Sequence, residues 1–297
     1  MELGIVILNW NAAEDTIACV RSLRGWTQVV PRIFVVDNAS ADDSVAQIEA
    51  TCPEVHLICS EVNLGFAGGS NLGMRAALDA DDLPILLLNN DANIEETAVL
   101  QMLHSLNADA QIGGIVPLLF DEMAGGLIAA GGKNPVKHQQ TRVRNFRAKD
   151  KLLFVETVSG TAVIFTAVML NEIGLLDERF FFSTEVADLC LRGNKAGYRF
   201  AADLQAQASH TIERSSRFRD TLYVYYIVRN RFLILRNHYR WHVVLWGFWA
   251  FYSLALALKL QMDGKRPSSR AVFLALKDGL RGRFGGQNER VMAYVEG

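Results

Sequence analysis

The chain has almost no charge imbalance: 30 Lys and Arg stand against 32 Asp and Glu, a formal net charge of −2. Without a cationic surplus, nucleic acid is not an expected partner. Its four cysteines, Cys19, Cys52, Cys59 and Cys190, lack metal-type spacing and read as reduced thiols of a cytosolic protein. Repeats and low-complexity tracts are missing. So are a basic n-region and a small-residue cleavage site at the N-terminus, where the run GIVIL is too short for a signal peptide. The catalytic part is therefore expected to stay in the cytoplasm. Two phosphate-binding patterns are absent as well. Gly65, Gly68, Gly69 and Gly73 do not fall at the offsets of the dinucleotide fingerprint, and no Gly-Lys-Ser/Thr closes the stretch. Hydride transfer and ATP hydrolysis of the usual kinds drop out.

What is present is a regular alternation over the first 120 residues. Apolar runs at 4–8, 32–36, 55–59, 84–88 and 113–119 read as strands buried on both faces. Helical patterns at 14–23, 43–51, 72–78 and 95–106 separate them, which argues an α/β class with a mostly parallel sheet flanked by helices. Residues 121–150 lose the pattern, turning glycine-rich and then basic, and read as a mobile excursion. Residues 157–170 resume as strand, then helix.

In an open parallel sheet, ligands bind beyond the carboxyl ends of the strands. Each early strand places polar residues there: Asn9-Trp10-Asn11, Asp37-Asn38-Ala39-Ser40, Asn63 with the glycine stretch NLGFAGGSNLG, and Asn89-Asn90-Asp91. One such cluster is an ordinary turn or cap. Four on one sheet edge point to a site.

The ordered blocks VILNWN, VVDNAS, NLGFAGGSNLG, LLLNND, SGTAVIF, GLLDERFFFSTEVADLCLRGNKAGY and YYIVRNR resemble family 2 glycosyltransferases of the bacterial rhamnosyltransferase-like branch. The resemblance runs from about residue 3 to 284 and implies a GT-A fold. It implies a nucleotide-sugar half over about 1–120 and an acceptor half over about 121–220. On that basis Gly65, Gly68 and Gly69 let the backbone skirt the donor nucleotide, while Asn63 and Asn71 fix loop and ligand. Asp37 accepts from base or ribose, with Asn9 and Trp10 on the other side, and Asn38 and Asn90 complete the donor set. Simple packing is the alternative for Trp10. Gly160, Arg229 and Asn230 fall on the acceptor side.

The resemblance also implies a divalent cation, Mg²⁺ or Mn²⁺, at Asn89-Asn90-Asp91, the place of the family's DXD motif. Asp91 is the single carboxylate there, Asn89 a neutral oxygen ligand, and His210 lies near metal or diphosphate unless it is structural. Where the family usually writes Glu-Asp-x-Asp, this chain writes Glu185-Val186-Ala187-Asp188. Val186 cannot accept a proton, so Glu185 is favoured as catalytic base with Asp188 in support. The bland alternative is an acidic first turn suited to the helix dipole.

Residues 221–297 differ. TLYVYYIVRNRFLILRNHYR (221–240) is helical, with Arg229, Arg236 and Arg240 on one face. Residues 241–258 lack formal charge and hold three of five tryptophans. An in-plane interfacial helix is favoured over a single span or a soluble core helix. The expected protein is thus an inverting, metal-dependent glycosyltransferase at the cytoplasmic face of a bacterial inner membrane. It passes a sugar, L-rhamnose from a dTDP donor by analogy, to a lipid-linked or polysaccharide acceptor. The alternatives are a silent nucleotide-sugar-binding homologue and a polyprenyl-phosphate glycosyltransferase.

Overall fold

The computed structural model describes residues 1–147, 150–211 and 219–296. The apolar runs form strands β1 (Glu2–Asn9), β2 (Val30–Asp37), β3 (His56–Cys59) and β4 (Ile85–Asn89). These pair in parallel in the order β3-β2-β1-β4, which sets Asn9 beside Asp37 and Leu8 beside Asn89 at one edge. Five more strands enlarge the sheet beyond β4: β5 (Ala92–Ile94), β6 (Ile112–Asp121), β8 (Leu152–Val155), β9 (Ala162–Phe165) and β10 (Arg199–His210). A short β7 (Leu127–Ala129) pairs with β6. β9 inserts antiparallel between β4 and β6, β10 runs parallel to β6, and β5 and β8 pair antiparallel with β10.

The expected sheet flanked by helices is present, but it is parallel on one side and mixed on the other rather than mostly parallel. Buried apolar strands read alike in either direction, so the sequence carries no sign of the antiparallel insertion.

Six helices cover the two faces: α1 (Ala13–Ser22), α2 (Ser44–Thr51), α3 (Gly65–Ala80), α4 (Glu96–Ala108), α5 (Ala167–Ile173) and α6 (Glu185–Ala196). α1, α2 and α4 bury Ile17, Val20, Ile48 and Met102 with Ile5, Ile7 and Val35 of the sheet. α3, α5 and α6 bury Met74, Met169 and Leu189 with Val6, Phe34 and Val163 on the other face. This strand alternation, odd residues of β1 one way and Val6 the other, is the period-two consequence of the pleat.

α3 begins at Gly65, seven residues before the helix expected from Leu72, so the glycine stretch is the opening of a helix and not a loop. Glycine's low helix propensity hid it. Gly65 has φ +70°, and a Cβ there would overlap the Phe181 carbonyl. A Cβ at Gly69 would overlap Leu8 Cδ1 and come 3.3 Å from the Asn38 amide, and one at Gly68 would meet Leu64 Cβ at 2.7 Å. Gly69 therefore lets α3 lie hard against β1, and Gly65 lets it meet the Phe181 backbone. Gly69→Val is expected to cost about 1–3 kcal/mol by overpacking, read from the urea midpoint. An unchanged midpoint would show that the contact with Leu8 carries no constraint.

The remaining helices, α7 (Val224–His238), α8 (Val243–Met262), α9 (Arg266–Arg281) and α10 (Asn288–Glu296), share a third core. The expected helix over 221–240 is α7, preceded by a π-helical turn over Arg219–Tyr223. α8 is 20 residues long and, by length and composition alone, apolar enough to cross a membrane. Only Trp249, Ser253 and Ala257 are buried, one stripe at i, i+4 and i+8 facing α9, where Ser269 Oγ donates to the Ala257 carbonyl at 2.7 Å. The core-helix reading of this segment is thereby excluded.

Of the three arginines expected to share one face, Arg229 is fully buried, and Arg236, exposed, donates to the Leu280 carbonyl at 2.7 Å. Only Arg240 is exposed without such a bond, over the Trp241 ring.

Candidate active site

The carboxyl edge of β1, β2 and β4 opens on a cavity of about 670 Å³. Of the residues singled out in the sequence, Trp10, Asn38, Asn63, Gly65, Asn89, Asp91, Gly160, Glu185 and His210 line it. Trp10 is 52% exposed at its mouth, which rules out simple packing. Asn38 and Asn63 shape the wall at α3. Asn38 Nδ2 donates to Asn63 Oδ1 at 3.2 Å and to the Gly65 carbonyl at 3.1 Å, and its Oδ1 accepts from Leu64 N at 2.9 Å.

The structure takes the others away from the wall. Asn9, Asp37 and Asn90 form a hydrogen-bonded chain beneath it. Asn9 Nδ2 donates to Asp37 Oδ2 (2.8 Å), Thr16 Oγ1 to Asn9 Oδ1 (2.7 Å) and Asn90 Nδ2 to Thr16 Oγ1 (3.1 Å). Ser40 donates both its amide and its hydroxyl to Asp37, at 2.9 and 2.6 Å. Asp37 is therefore engaged by the protein and holds strand ends together. Gly68 and Gly69 face Leu64 and Leu8, as above. Asn71 ties α3 to the loop before the short helical turn Glu178–Phe180, donating to Leu176 O and Glu178 Oε1 at 2.9 Å each and accepting from Leu176 N at 3.0 Å.

Arg229 and Asn230 are also buried, and both act on the loop that enters α6. Asn230 Nδ2 donates to the carbonyls of Phe180, Phe182 and Ser183 at 3.1, 2.8 and 2.6 Å, and Arg229 donates to Phe180 O at 2.7 Å. In that loop Phe181, Ser183 and Thr184 adopt φ of 63°, 70° and 70°, a left-handed conformation that costs non-glycine residues about 1–3 kcal/mol each. Phe181, Phe182, Ser183 and Thr184 line the cavity. The strain is thus held at the point where the chain delivers Glu185.

Glu185 and Asp188, adjacent on α6, have opposite environments. Glu185 faces the cavity, is buried, and its Oε2 has no hydrogen-bond partner. Burial pushes its carboxyl up to about 7, against a smaller opposing effect of its own backbone amide. Asp188 lies outside the wall. Its Oδ1 accepts from His238 Nε2 at 2.7 Å and from Asn237 at 3.0 Å, and its Oδ2 accepts from Arg192 Nε at 2.9 Å. Burial alone would raise its carboxyl, but these three donors outweigh it and hold the group below the ordinary range. Val186, between them in sequence, is buried beside Gly160 and Phe66.

Across the cavity His210 Nε2 lies 3.0 Å from Asp91 Oδ1, with both side chains partly open. β5 and β10 bring them together through the pairing of Ala92 with His210. Among the described residues no group of three or more His, Cys, Asp or Glu could hold a metal ion alone. One carboxylate, one imidazole and the neighbouring Asn89 amide fit a divalent cation that takes its other oxygens from a bound diphosphate.

Sequence reasoning missed several lining residues. Lys133 and Arg142 belong to the 121–150 excursion, which turns back on the cavity through bonds such as Lys133 N to Thr141 O at 2.7 Å. Its basic composition was the available signal. Tyr223, Tyr226 and Asn288 come from the C-terminal helical region, where only Tyr226, in the block YYIVRNR, carried a signal.

The cavity at the strand ends of this mixed α/β sheet thus holds a raised carboxyl, Glu185, together with a carboxylate–imidazole pair, Asp91 and His210. The chain belongs to glycosyl transferase family 2, whose profile matches residues 4–156. It is 25% identical over 243 residues to the low-salt glycan biosynthesis hexosyltransferase Agl10 of Haloferax volcanii, covering 78% of this chain and 75% of that one. It is 27% identical over 219 residues to the dTDP-rhamnosyl transferase RfbF of Shigella flexneri, covering 70% and 71%. Its fold matches the mannosyltransferase PcManGT of Pyrobaculum calidifontis, solved with GDP-Man and Mn²⁺, at a TM-score of 0.56 and 12% identity over 94% of this chain and 86% of that one. The fold is of the GT-A kind.

Proposed function

We propose that this glycosyltransferase is inverting and metal-dependent, and that it moves L-rhamnose from dTDP-rhamnose to a lipid-linked or polysaccharide acceptor of the cell envelope. The observation that carries the chemistry is Glu185, a buried carboxylate with an unpaired oxygen in the same cavity as Asp91 and His210. In this reading Glu185 takes the proton of the acceptor hydroxyl as that oxygen bonds to the anomeric carbon. The bond to the nucleoside diphosphate breaks on the opposite side, and one displacement inverts the anomeric centre. Asp91, His210 and Asn89 would hold the cation, which would supply charge neutralisation to the departing diphosphate. Lys133 and Arg142 reinforce the positive side. Trp10, Asn38 and Asn63 form the nucleotide end, and Gly160 leaves room for the acceptor.

The sugar and nucleotide rest on the similarity to RfbF, and the part in glycan synthesis on that to Agl10. Assaying transfer and donor hydrolysis with dTDP-rhamnose, UDP- and GDP-sugars tests them. Turnover confined to a UDP- or GDP-sugar would replace the donor, and no turnover with any would revive the silent homologue. Asp91→Ala is expected to leave the fold intact and to remove the Mn²⁺ dependence of nucleoside-diphosphate affinity, measured by calorimetry with and without the metal. A variant that still gains affinity from Mn²⁺ would remove Asp91 from the metal site.

The protein is also read as lying on the cytoplasmic face of the inner membrane through α8. Trp241, Val243, Val244, Phe251 and Met262 are 71–86% exposed there. The basic complement is the outer side of α9, where Arg266, Arg270, Lys277 and Arg281 are exposed among Phe273 and Leu280. Arg229, fully buried, has no part in it.

A further inference from the structure

Among the described residues, one partly buried arginine of the helical region has no hydrogen-bond or ion-pair partner. Arg231, on α7, lays its guanidinium 4.2 Å from the centre of the Trp249 ring of α8. Its Nε is buried without a hydrogen-bond partner, and the side chain forms no ion pair among the described residues. Its neighbours on α7 have partners: Arg229, buried, donates to the carbonyls of Phe180 and Gly285, and Arg236, exposed, to that of Leu280. Burial lowers Arg231 to about 10, which is the mark of a cation with no anion beside it. Burying part of a guanidinium without a partner is costly, and a cation–π contact offsets only part of that cost.

The position of Arg231 says what could complete it. Tyr223, close enough to act on it electrostatically, lines the catalytic cavity. On its other side stand Trp249 and Tyr252, packed with Phe248, which is 42% exposed on the apolar face of α8. Arg231 therefore lies between the active site and the surface read as facing the bilayer, and it remains partly open.

We propose that Arg231 binds the phosphate of a membrane lipid whose chain lies along α8 and whose head reaches toward the cavity, as a lipid-linked acceptor requires. The guanidinium fork matches two phosphate oxygens, and Trp249 fixes its plane. A lipid-borne phosphate suits the place better than a free one because the exposed apolar face adjoins it. This inference rests on the membrane reading of α8.

The test is flotation of the full chain with three vesicles: phosphatidylcholine alone, phosphatidylcholine with phosphatidylserine, and phosphatidylcholine with phosphatidic acid at matched surface charge. Wild type is expected to bind the phosphatidic acid vesicles about tenfold more tightly than the phosphatidylserine ones, the worth of one charge-assisted bidentate contact. Arg231→Met and Arg231→Leu should lose that preference, keep the phosphatidylserine binding that α8 and α9 supply, and melt no lower than wild type. Wild type that binds both anionic vesicles equally, or variants that keep the preference, would overturn the phosphate assignment. Variants that melt well below wild type would make Arg231 a structural residue. No binding to any vesicle would instead remove the membrane reading, and this proposal with it. A melting shift from inorganic phosphate without vesicles, in wild type and not in Arg231→Met, would reassign the site to a free phosphate.

Discussion

Glu185→Gln is expected to lower sugar transfer by about 10²–10⁴-fold, the usual worth of a positioned base, while nucleotide affinity stays at the wild-type level. Glutamine keeps the size and a hydrogen-bonding end in the same pocket, so the loss falls on kcat. The wild-type rate should rise with pH through about 7, because only the ionised carboxylate accepts a proton, and level off above it. The variant's residual rate should lack that inflection.

Stability should move the other way. Glu185 binds its proton more tightly folded than unfolded, so in this group the native state holds the extra proton between about pH 4.5 and 7. Its contribution to stability is therefore best at low pH and declines as pH rises to about 7. Above that the wild type holds a buried, half-unpaired charge, and Glu185→Gln should be the more stable protein by roughly 1–3 kcal/mol. Thermal melts at pH 5 and pH 8 check the crossing trend. A variant with wild-type kcat would end the assignment of Glu185 as base. One that melts lower at pH 8 would show that the carboxylate has a partner in solution.

Much of the site was legible because each strand end carries its own punctuation. Asn38, Asn89 and Asp91 follow apolar runs within three residues, Asn63 follows four residues after β3, and parallel pairing brings those ends to one edge. The sequence could not tell residues that face the cavity from those that hold the edge together. Asp37 and Asn38 are neighbours in an extended segment, so they point opposite ways, one into the Asn9–Thr16–Asn90 chain and the other to the cavity.

The glycine stretch misled for a related reason. Close approach was the right inference from so many glycines, but the near neighbours of Gly68 and Gly69 are Leu64 and Leu8. Tyr226 and Asn288 lie outside the sheet and reach the cavity from the C-terminal helices, through the packing of α7 and α10.

The same separation of neighbours decides what Asp188 does. In the sequence it reads as support for an arginine or the acceptor, three positions along the helix from Glu185. Asp188 gathers one arginine, Arg192 of its own helix, with Asn237 and His238 of the C-terminal region, and its side chain is 1% exposed. Removing it leaves Arg192 and His238 without their shared anion. Asp188→Ala is accordingly expected to destabilise the fold by about 3–5 kcal/mol, the cost of breaking a buried charge pair from one side.

Asp188→Asn keeps the shape but offers one acceptor oxygen where the carboxylate offered two, and should lose less. In either variant the folded fraction should retain Glu185-dependent transfer with its inflection near pH 7, since Asp188 lies outside the cavity wall. The dependence on pH distinguishes this from catalysis. Asp188 is ionised more readily folded than unfolded, so its contribution is present above about pH 4 and is lost as pH falls through its lowered folded value. Wild type and Asp188→Ala should therefore converge in stability at acid pH. Equal stability at pH 7 together with a dead enzyme would give Asp188 the base role and leave Glu185 as the buried acid of a helix start.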